Sequence, residues 1–552
     1  MFRRLFKKQI NSITLAAVLV AVSALAADFL GVFRDHVLAG QFGAGEYLDI
    51  YYASFRIPDL IYNLIILGAL SAGFIPIFTS LIKNFSCDKV GGTGNSGEVI
   101  DPNQEAWSLA SNVLNFLFVG LAGLSVIGII FAPALTRLIT PGFNPEQQKL
   151  VVSLTRIMFL SPLFLGISGV LGGILQSFKR FVMYALAPVL YNLGIIVGAL
   201  FFVNWWGIYG LAWGVVLGAF LHMAIQLPTV FSLGFRYKLG LRWRDVNTIK
   251  IGRMMVPRTL SLAVAQANLV IITIIASRLS SGSLAVFNFA NNLQSFPIGI
   301  FGISFAIAAF PSLAATAFDK EKLNENFSQT FRQILFFVIP ATVLMLALRA
   351  QIIRVVLGAG KFNWEDTMLT MDTLGFFTLS LFAQATIPLL VRVFYARHNS
   401  VIPFVIGVIT VGLNTLLAWW LAPWLGVRGL ALAYSIDNIL NFLLLWLALH
   451  FTVGITNIKQ TVWAVTKFVL SALMAGCAAQ LTKVLIWPWI DMTRFFGVLS
   501  QLLVSGVVGL AVYLGFSYLL GSEELDGFLA MIGRRLPFNK VKLDDQGEAR
   551  RI

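Results

Sequence analysis

The stretch D-F-L-G-V-F-R-D-H-V-L-A-G-Q-F-G-A-G-E-Y-L-D-I-Y-Y-A-S-F-R-I-P-D-L, from Asp28 to Leu60, runs on through an apolar segment to Ile75 and Pro76. Here charges sit inside hydrophobic segments long enough to cross a bilayer. An Arg or Asp at the centre of a membrane helix costs roughly 2.5–3.5 kcal/mol even on lenient insertion scales. Such residues persist where they pair or face a watery cavity. Arg34, Asp35, Asp49, Arg56 and Asp59 therefore mark a polar path through the membrane.

Working outward, the composition agrees. Of 552 residues, 58% are hydrophobic and only 12% charged, with mean hydropathy +0.83. Soluble domains carry about 25% charged residues, so this is an all-α polytopic membrane protein. The net charge of +15 invites a nucleic-acid reading. Its location argues otherwise: the basic residues cluster in short loops between apolar segments, and no basic soluble domain carries them. Cys87 lies in a polar loop and Cys477 in an apolar segment, which suits neither a metal framework nor a disulfide. The start M-F-R-R-L-F-K-K precedes an apolar segment without an A-x-A-like cleavage site, as expected of an uncleaved first helix.

Apolar stretches of about 18 or more residues predict about fourteen transmembrane helices, over 12–42, 48–83, 106–138, 148–174, 181–204, 208–233, 250–279, 284–317, 329–357, 367–396, 400–421, 427–451, 461–485 and 494–520. Basic residues concentrate in the N-terminus (Arg3, Arg4, Lys7, Lys8), after helix 4 (Lys179, Arg180), after helix 6 (Arg236, Lys238, Arg242, Arg244, Lys250) and in the tail (Arg534, Arg535, Lys540, Lys542). All fall on one side, so both termini are expected in the cytoplasm. The opposite loops carry Trp205, Trp206, Trp364, Trp424, Trp487 and Trp489, an expected outer interface belt. The loop from Lys83 to Glu105 contains G-G-T-G-N-S-G without the G-K-[ST] ending of a phosphate loop, and reads as a linker.

An internal repeat is visible. G-I-Y-G-L-A-W-G at Gly207 recurs as G-V-R-G-L-A-L-A at Gly426, 219 positions on. Lys179–Arg180 matches Arg397–His398 at nearly that offset, and T-P-G-F at Thr140 lines up roughly with G-A-G-K-F at Gly358. The expected layout is a basic N-terminus (1–11), an N-lobe of helices 1–6 (12–233), a basic linker (234–249), a C-lobe of helices 7–12 (250–451), helices 13 and 14 (461–520) and a tail (521–552). Copies with an even helix number share one orientation, which puts the pseudo-symmetry axis along the membrane normal and the site between the copies.

The chain resembles the MurJ (MviN) family of lipid II flippases, in the multidrug/oligosaccharidyl-lipid/polysaccharide exporter superfamily. The matching residues are L-G-V-F-R-D at Leu30–Asp35, F-G-A-G at Phe42–Gly45, Asp49 with R-I-P-D-L to Leu60, the run G-A-L-S-A-G-F-I-P to Pro76, and the Pro141–Gly142 turn. In the second half they are S-F-P-I-G-I-F-G-I-S at Ser295, F-P-S-L at Phe310 and G-K-F at Gly360. The resemblance implies two pseudo-symmetric lobes in a V, a central cationic cavity for the diphosphate and sugars of lipid II, and a groove for the polyprenyl tail on helices 13 and 14. The chain departs from the family pattern where an early basic residue gives way to Asp28. Basic residues of helices 2 and 8 fall here on Tyr62–Asn63 and Asn292, and glutamates on Leu67 and Ser295.

The candidate substrate-binding residues are Arg34, Asp35, Asp49, Arg56, Arg258 and Asn292. Arg suits the task because its planar fork matches phosphate oxygens. Adjacent on a helix, Arg34 and Asp35 point about 100° apart, so they cannot form one neat pair; Arg34 would hold the diphosphate, and Asp35 would orient it or pair across to helix 2. The alternative places both at the interface. Asp49 and Arg56 lie two turns apart on one face, with Asp49 either pairing Arg34, gating the outer side or capping a helix. Arg258 either compensates for the absent cations or snorkels. Asp28, Arg278 and Asp437 are candidates for gating or ion coupling, with a structural pair as the other reading of Asp437. Arg156, Arg349, Arg354 and Arg392 read as interfacial or packing residues. Pro58 is a candidate kink in helix 2.

The four histidines lack metal-ligand spacing, and no Ser/His/Asp set or H-E-x-x-H occurs, so neither enzymatic activity nor a cofactor is expected. The function the resemblance implies is translocation of lipid II to the outer leaflet of the bacterial cytoplasmic membrane by alternating access. Coupling would be to membrane potential or a monovalent cation, and the partners would be membrane lipids and cell-wall synthesis machinery. The alternatives are export of another lipid-linked glycan, drug/cation antiport, and a transport-dead scaffold that binds lipid precursors.

Overall fold

The computed structural model describes residues 13–67, 73–82, 103–454 and 458–535. Among them no strand occurs. Helices keep every backbone hydrogen bond within the segment, as a hydrocarbon surrounding demands. In chain order the helices are α1 (Ile13–Phe42), α2 (Glu46–Tyr62), α3 (Ile75–Leu81), α4 (Gln104–Ile139), α5 (Pro145–Met158), α6 (Ser161–Ser177) and α7 (Phe181–Val197). Next come α8 (Tyr209–Ala224), α9 (Leu227–Ser232), α10 (Val246–Ala276), α11 (Ser283–Pro297), α12 (Ser304–Ala315), α13 (Lys320–Leu357) and α14 (Trp364–Thr378). The last are α15 (Leu381–Ala396), α16 (Val401–Leu425), α17 (Val427–Val453), α18 (Ile458–Ile486), α19 (Phe495–Leu519) and α20 (Glu523–Arg535). Wider π turns follow α2, α7 and α11, at Asn63–Leu67, Gly198–Phe202 and Ile298–Ile303.

Among the described residues helix makes up most of each of the fourteen predicted spans. Among the described residues ten segments are long and apolar enough to cross a bilayer, and α14 with α15, bent by 45°, makes an eleventh. Fourteen crossings remain compatible with these elements. The predicted span 148–174 is broken after Met158, because Pro162 has no N–H to donate to that carbonyl and its ring crowds it. The Ser161 hydroxyl donates to the Met158 carbonyl instead, at 2.7 Å. Pro58 leaves the Ser54 carbonyl without its helical donor in the same way. Thr155 on α5 replaces it through its hydroxyl at 3.3 Å, and α2 passes into its π turn five residues later. The linker residues 83–102, Cys87 among them, lie outside the described residues. Cys477 is free, and the six belt tryptophans are all exposed.

The offset of the sequence repeat recurs in local backbone geometry. Asn144 and Asn363 both open a helix with a reciprocal capping box, 219 positions apart. Lys179 and His398, at the same offset, are the two non-glycine residues with left-handed φ among the described residues, at 57° and 58°. Gly207 and Gly426 follow suit at 56° and 60°.

The chain divides into two compact units, one of Met1–Phe296, Ile352–Ser380 and Val401–Asn441, the other of Pro297–Gln351, Leu381–Ser400 and Phe442–Ile552. In the first, α1 and α8 both pack on α7, α2 packs on α5, and α10 on α16. The seam between α7 and α8 is lined by glycines: a Cβ on Gly214 would stand 2.7 Å from the Gly198 Cα, and one on Gly194 would stand 2.3 Å from the Gly218 Cα. Small residues four apart let membrane helices approach backbone to backbone, where dispersion replaces the missing hydrophobic drive. In the second unit α18 and α19 form a hairpin. The Tyr513 hydroxyl donates to the Phe336 carbonyl at 2.6 Å, and the Gln351 amide to Gln501 at 2.8 Å.

Candidate functional site

Within the first unit a cavity of about 420 Å³ opens among α1, α2, α6, α7, α8 and α11. Arg34, Arg56, Asp59 and Asn292 line it, together with Tyr51, Tyr52, Tyr62, Tyr191 and His222. The helix period explains the α2 contribution: positions 51, 52, 55, 58, 59 and 62 recur at the three- and four-residue spacing of one face.

Arg34 and Asp35 do form a pair. Both Nε and Nη2 of Arg34 donate to Asp35 Oδ1, at 3.0 and 2.8 Å. The expectation that adjacency forbids this took account of the Cα–Cβ directions and not of the length of the Arg stem, which curls back so that one guanidinium edge meets its neighbour's oxygen. The third donor, Nη1, reaches Asn192 Oδ1 on α7 at 3.0 Å. Asn192 is itself fixed by donating to the Ala27 carbonyl at 3.1 Å. Asp35 Oδ2 accepts from Asn292 on α11 at 2.8 Å, so this Asn orients the carboxylate that orients the Arg.

Arg56 is held by neutral acceptors. Its Nε donates to Thr273 Oγ1 at 2.9 Å and its Nη2 to Asn288 Oδ1 at 3.0 Å. These fix the plane of the fork and leave its charge uncompensated by direct contact. On the opposite wall His222 Nδ1 stands 2.6 Å from Ser168 Oγ, which also accepts from Gln226 Nε2 at 2.6 Å. The Tyr52 hydroxyl, on α2, is buried without a partner among the described residues.

Asp49 stands away from the cavity and does not pair with Arg34. It is 5% exposed, and its two oxygens accept from the backbone amides of Gly282, at 2.6 Å, and Ala285, at 2.8 Å. It thus caps α11, a helix 233 residues further on, meeting the free N–H groups and the positive end of the dipole. Around this contact four turns converge. Ala44 N donates to Asp366 at 3.1 Å and Lys361 N to the Gly40 carbonyl at 2.8 Å, and the Gly142 amide donates to Ser277 Oγ at 3.3 Å. Gly282 has φ +88°, and a Cβ there would lie 1.9 Å from the Ala44 carbonyl oxygen, so no other residue fits.

Of the remaining predicted positions, Asp28, Arg278 and Asp437 are not gathered into the cavity. Asp28 is exposed on α1, and Arg278 is exposed in the turn after α10. Asp437 is buried on α17, its Oδ1 without a partner among the described residues. Arg258 lies on α10, with its side chain outside the described residues. Arg354 rests over the Trp364 ring at 6.0 Å, and Arg156 and Arg392 donate to backbone carbonyls. Sequence reasoning missed Asn192, Thr273 and Asn288. Polar residues in apolar helices are the signal they share, but nothing in it says which charge each one serves. Among the described residues no group of three or more His, Cys, Asp and Glu side chains could hold a metal by itself.

Known proteins share the sequence pattern and the fold. A family model described as lipid II flippase MurJ matches residues 38–500. A probable lipid II flippase MurJ of Buchnera aphidicola subsp. Acyrthosiphon pisum is 29% identical over 432 residues, 77% of this chain and 81% of that protein. A solved structure titled lipid II flippase MurJ, inward closed conformation, superposes with TM-score 0.74 at 23% identity, over 93% of this chain and all of that one. An inward-facing multidrug resistance MATE transporter of the MOP superfamily gives TM-score 0.63 at 16% identity, over 79% of this chain and 98% of that one. At these identities the two structures share the fold.

Proposed function

From the premise that the chain belongs to the lipid II flippase MurJ family, we propose that it carries lipid II across the inner membrane by alternating access, with the Arg34–Arg56 cavity taking the diphosphate. It is a multi-pass transporter. The observation that carries the assignment is that two guanidinium groups on neighbouring helices are each locked by side-chain hydrogen bonds while facing one cavity. Preorganised Arg forks bind phosphate oxygens with little further loss of rotamer freedom. Asp35 and Asn292 position Arg34, and Asp49 latches one end of the path. Arg258 and Arg278 supply further positive charge along it. Asp28 and Asp437 are the sites for a coupling cation.

Segments 12–233 and 250–451 act as the two repeated lobes, and 461–520 receives the polyprenyl tail. The distribution of basic residues among the loops supports cytoplasmic termini. The cycle requires the headgroup to bind the two access states with different affinity. Moving one charge through the membrane potential supplies about 2.3 kcal/mol per 100 mV, enough to bias release. Family membership does not favour the antiporter and scaffold alternatives.

Complementation of a bacterium depleted of its lipid II flippase tests this reading, with Arg34→Ala and Arg56→Ala beside the wild type. Rescue by the wild type and failure of well-expressed mutants is the expected result. Rescue by both mutants would remove the cavity from the mechanism, and failure of a correctly inserted wild type would remove lipid II as substrate.

A further inference from the structure

We propose that this chain takes up its diphosphate together with a divalent cation, and that Asp59 is the side chain that receives the cation. The inference rests on the reading of the Arg34–Arg56 cavity as the diphosphate site.

Three carboxylates of α1 and α2 lie along the polar path, and two of them are spent. Asp35 uses both oxygens on Arg34 and Asn292, and Asp49 uses both on the amides at the start of α11. Asp59 lines the cavity and makes no ion pair among the described residues, its side chain meeting only that of Asn63 by hydrogen bond among them. Arg56, one turn earlier on the same face, is drawn to Thr273 and Asn288 instead. Residues three apart on a helix are neighbours and pair readily when their charges are opposite. Here the two charges stand side by side and unjoined, one open to an anion and the other to a cation.

Charge balance leads the same way. Arg34 is matched by Asp35 and Arg56 by Asp59, so these four side chains carry no net charge among them. A polyprenyl diphosphate brings roughly two negative charges, each phosphate being strongly acidic. Carried in alone, they would confront Asp59 within a low-dielectric wall, where like charges repel far more than in water. A divalent ion restores neutrality. Mg²⁺ in particular keeps several waters and binds through one or two carboxylates together with substrate phosphates, which is the donor set that Asp59 and a diphosphate would make. The buried Tyr52 hydroxyl, unpartnered among the described residues, adds a waiting donor on the phosphate side of that set.

The test is equilibrium binding of a polyprenyl diphosphate to the full-length protein in nanodiscs, with Mg²⁺ varied at constant ionic strength. The wild type should bind about tenfold tighter in millimolar Mg²⁺ than in chelator, the low end of what one charge-assisted contact is worth. Asp59→Asn, close to isosteric, should bind equally in both conditions, and Asp59→Glu should keep the Mg²⁺ response. A wild type indifferent to Mg²⁺, or an Asp59→Asn protein that keeps the full response, would overturn the inference while leaving the cavity as the diphosphate site. Binding that ignores Mg²⁺ and strengthens as pH falls would overturn it in favour of a proton on Asp59. No binding by the wild type at any Mg²⁺ concentration would overturn the substrate reading itself, and this inference with it.

Discussion

Replacing Asp49 by Asn removes one negative charge and one acceptor from the start of α11. In the protein the two carboxylate oxygens accept from Gly282 N at 2.6 Å and Ala285 N at 2.8 Å in a site that is 5% exposed. The Asn carbonyl replaces one oxygen. Its NH₂ group then faces a backbone N–H, leaving two donors opposed and unsatisfied. A hydrogen bond to a charged group contributes about 1.5–3 kcal/mol, and a buried unsatisfied donor costs about 1–3 kcal/mol. Loss of the favourable charge at the helix N-terminus adds about 0.3–1 kcal/mol. The expected loss at this contact is therefore about 3 kcal/mol.

If the contact latches one end of the path, that energy appears as a population shift of about a hundredfold between access states, at 1.4 kcal/mol per tenfold. The assay is labelling of a single cysteine at Asn292 with a membrane-impermeant maleimide added from the outer face, after replacing Cys87 and Cys477 by Ser. The unfolding temperature in detergent is measured in parallel. Labelling should accelerate at least tenfold in Asp49→Asn. Unchanged labelling with a lowered unfolding temperature would make Asp49 a structural cap alone. If neither changed, the energetic reasoning from these two hydrogen bonds would be wrong.

Two further outcomes follow from the packing and the site. Gly214→Leu would drive a side chain into the α7–α8 seam, where even a Cβ meets the Gly198 Cα at 2.7 Å. The protein should fail to accumulate in the membrane, as judged by a fluorescent C-terminal fusion, whereas Gly120→Leu, with nothing within 4 Å of the added Cβ, should accumulate normally. Thr273→Val keeps the shape of α10 and removes the acceptor for Arg56 Nε. Affinity for lipid II should fall about tenfold, for a loss of about 1.5 kcal/mol in positioning a charged donor, with the unfolding temperature nearly unchanged.

What the sequence discloses here is set by how far each effect reaches along the chain. The spans are legible because hydropathy sums over about twenty residues and needs no partner. Helix ends are less so: α13 begins at Lys320 rather than near 329, because polar residues continue a helix beyond the bilayer without altering its hydropathy. Arg34, Asp35, Asp49 and Arg56 declare themselves by their cost in lipid. Their partners do not, since Asn192, Thr273, Asn288 and Gly282 lie more than 150 positions from the charges they serve. Asp49 shows the difference well. Its burial and its capping chemistry are both readable, but the helix that it caps lies in the other half of the chain.

The proline within α2, Pro58, has a further effect. Asp49 and Arg56 both lie upstream of it on one unbroken helical rod, seven residues or about 10 Å apart. The backbone beyond it passes into a widened turn. A tug on the guanidinium is therefore delivered as a displacement of the carboxylate at the other end. On this geometry the helix would work as a crank whose handle is the cargo.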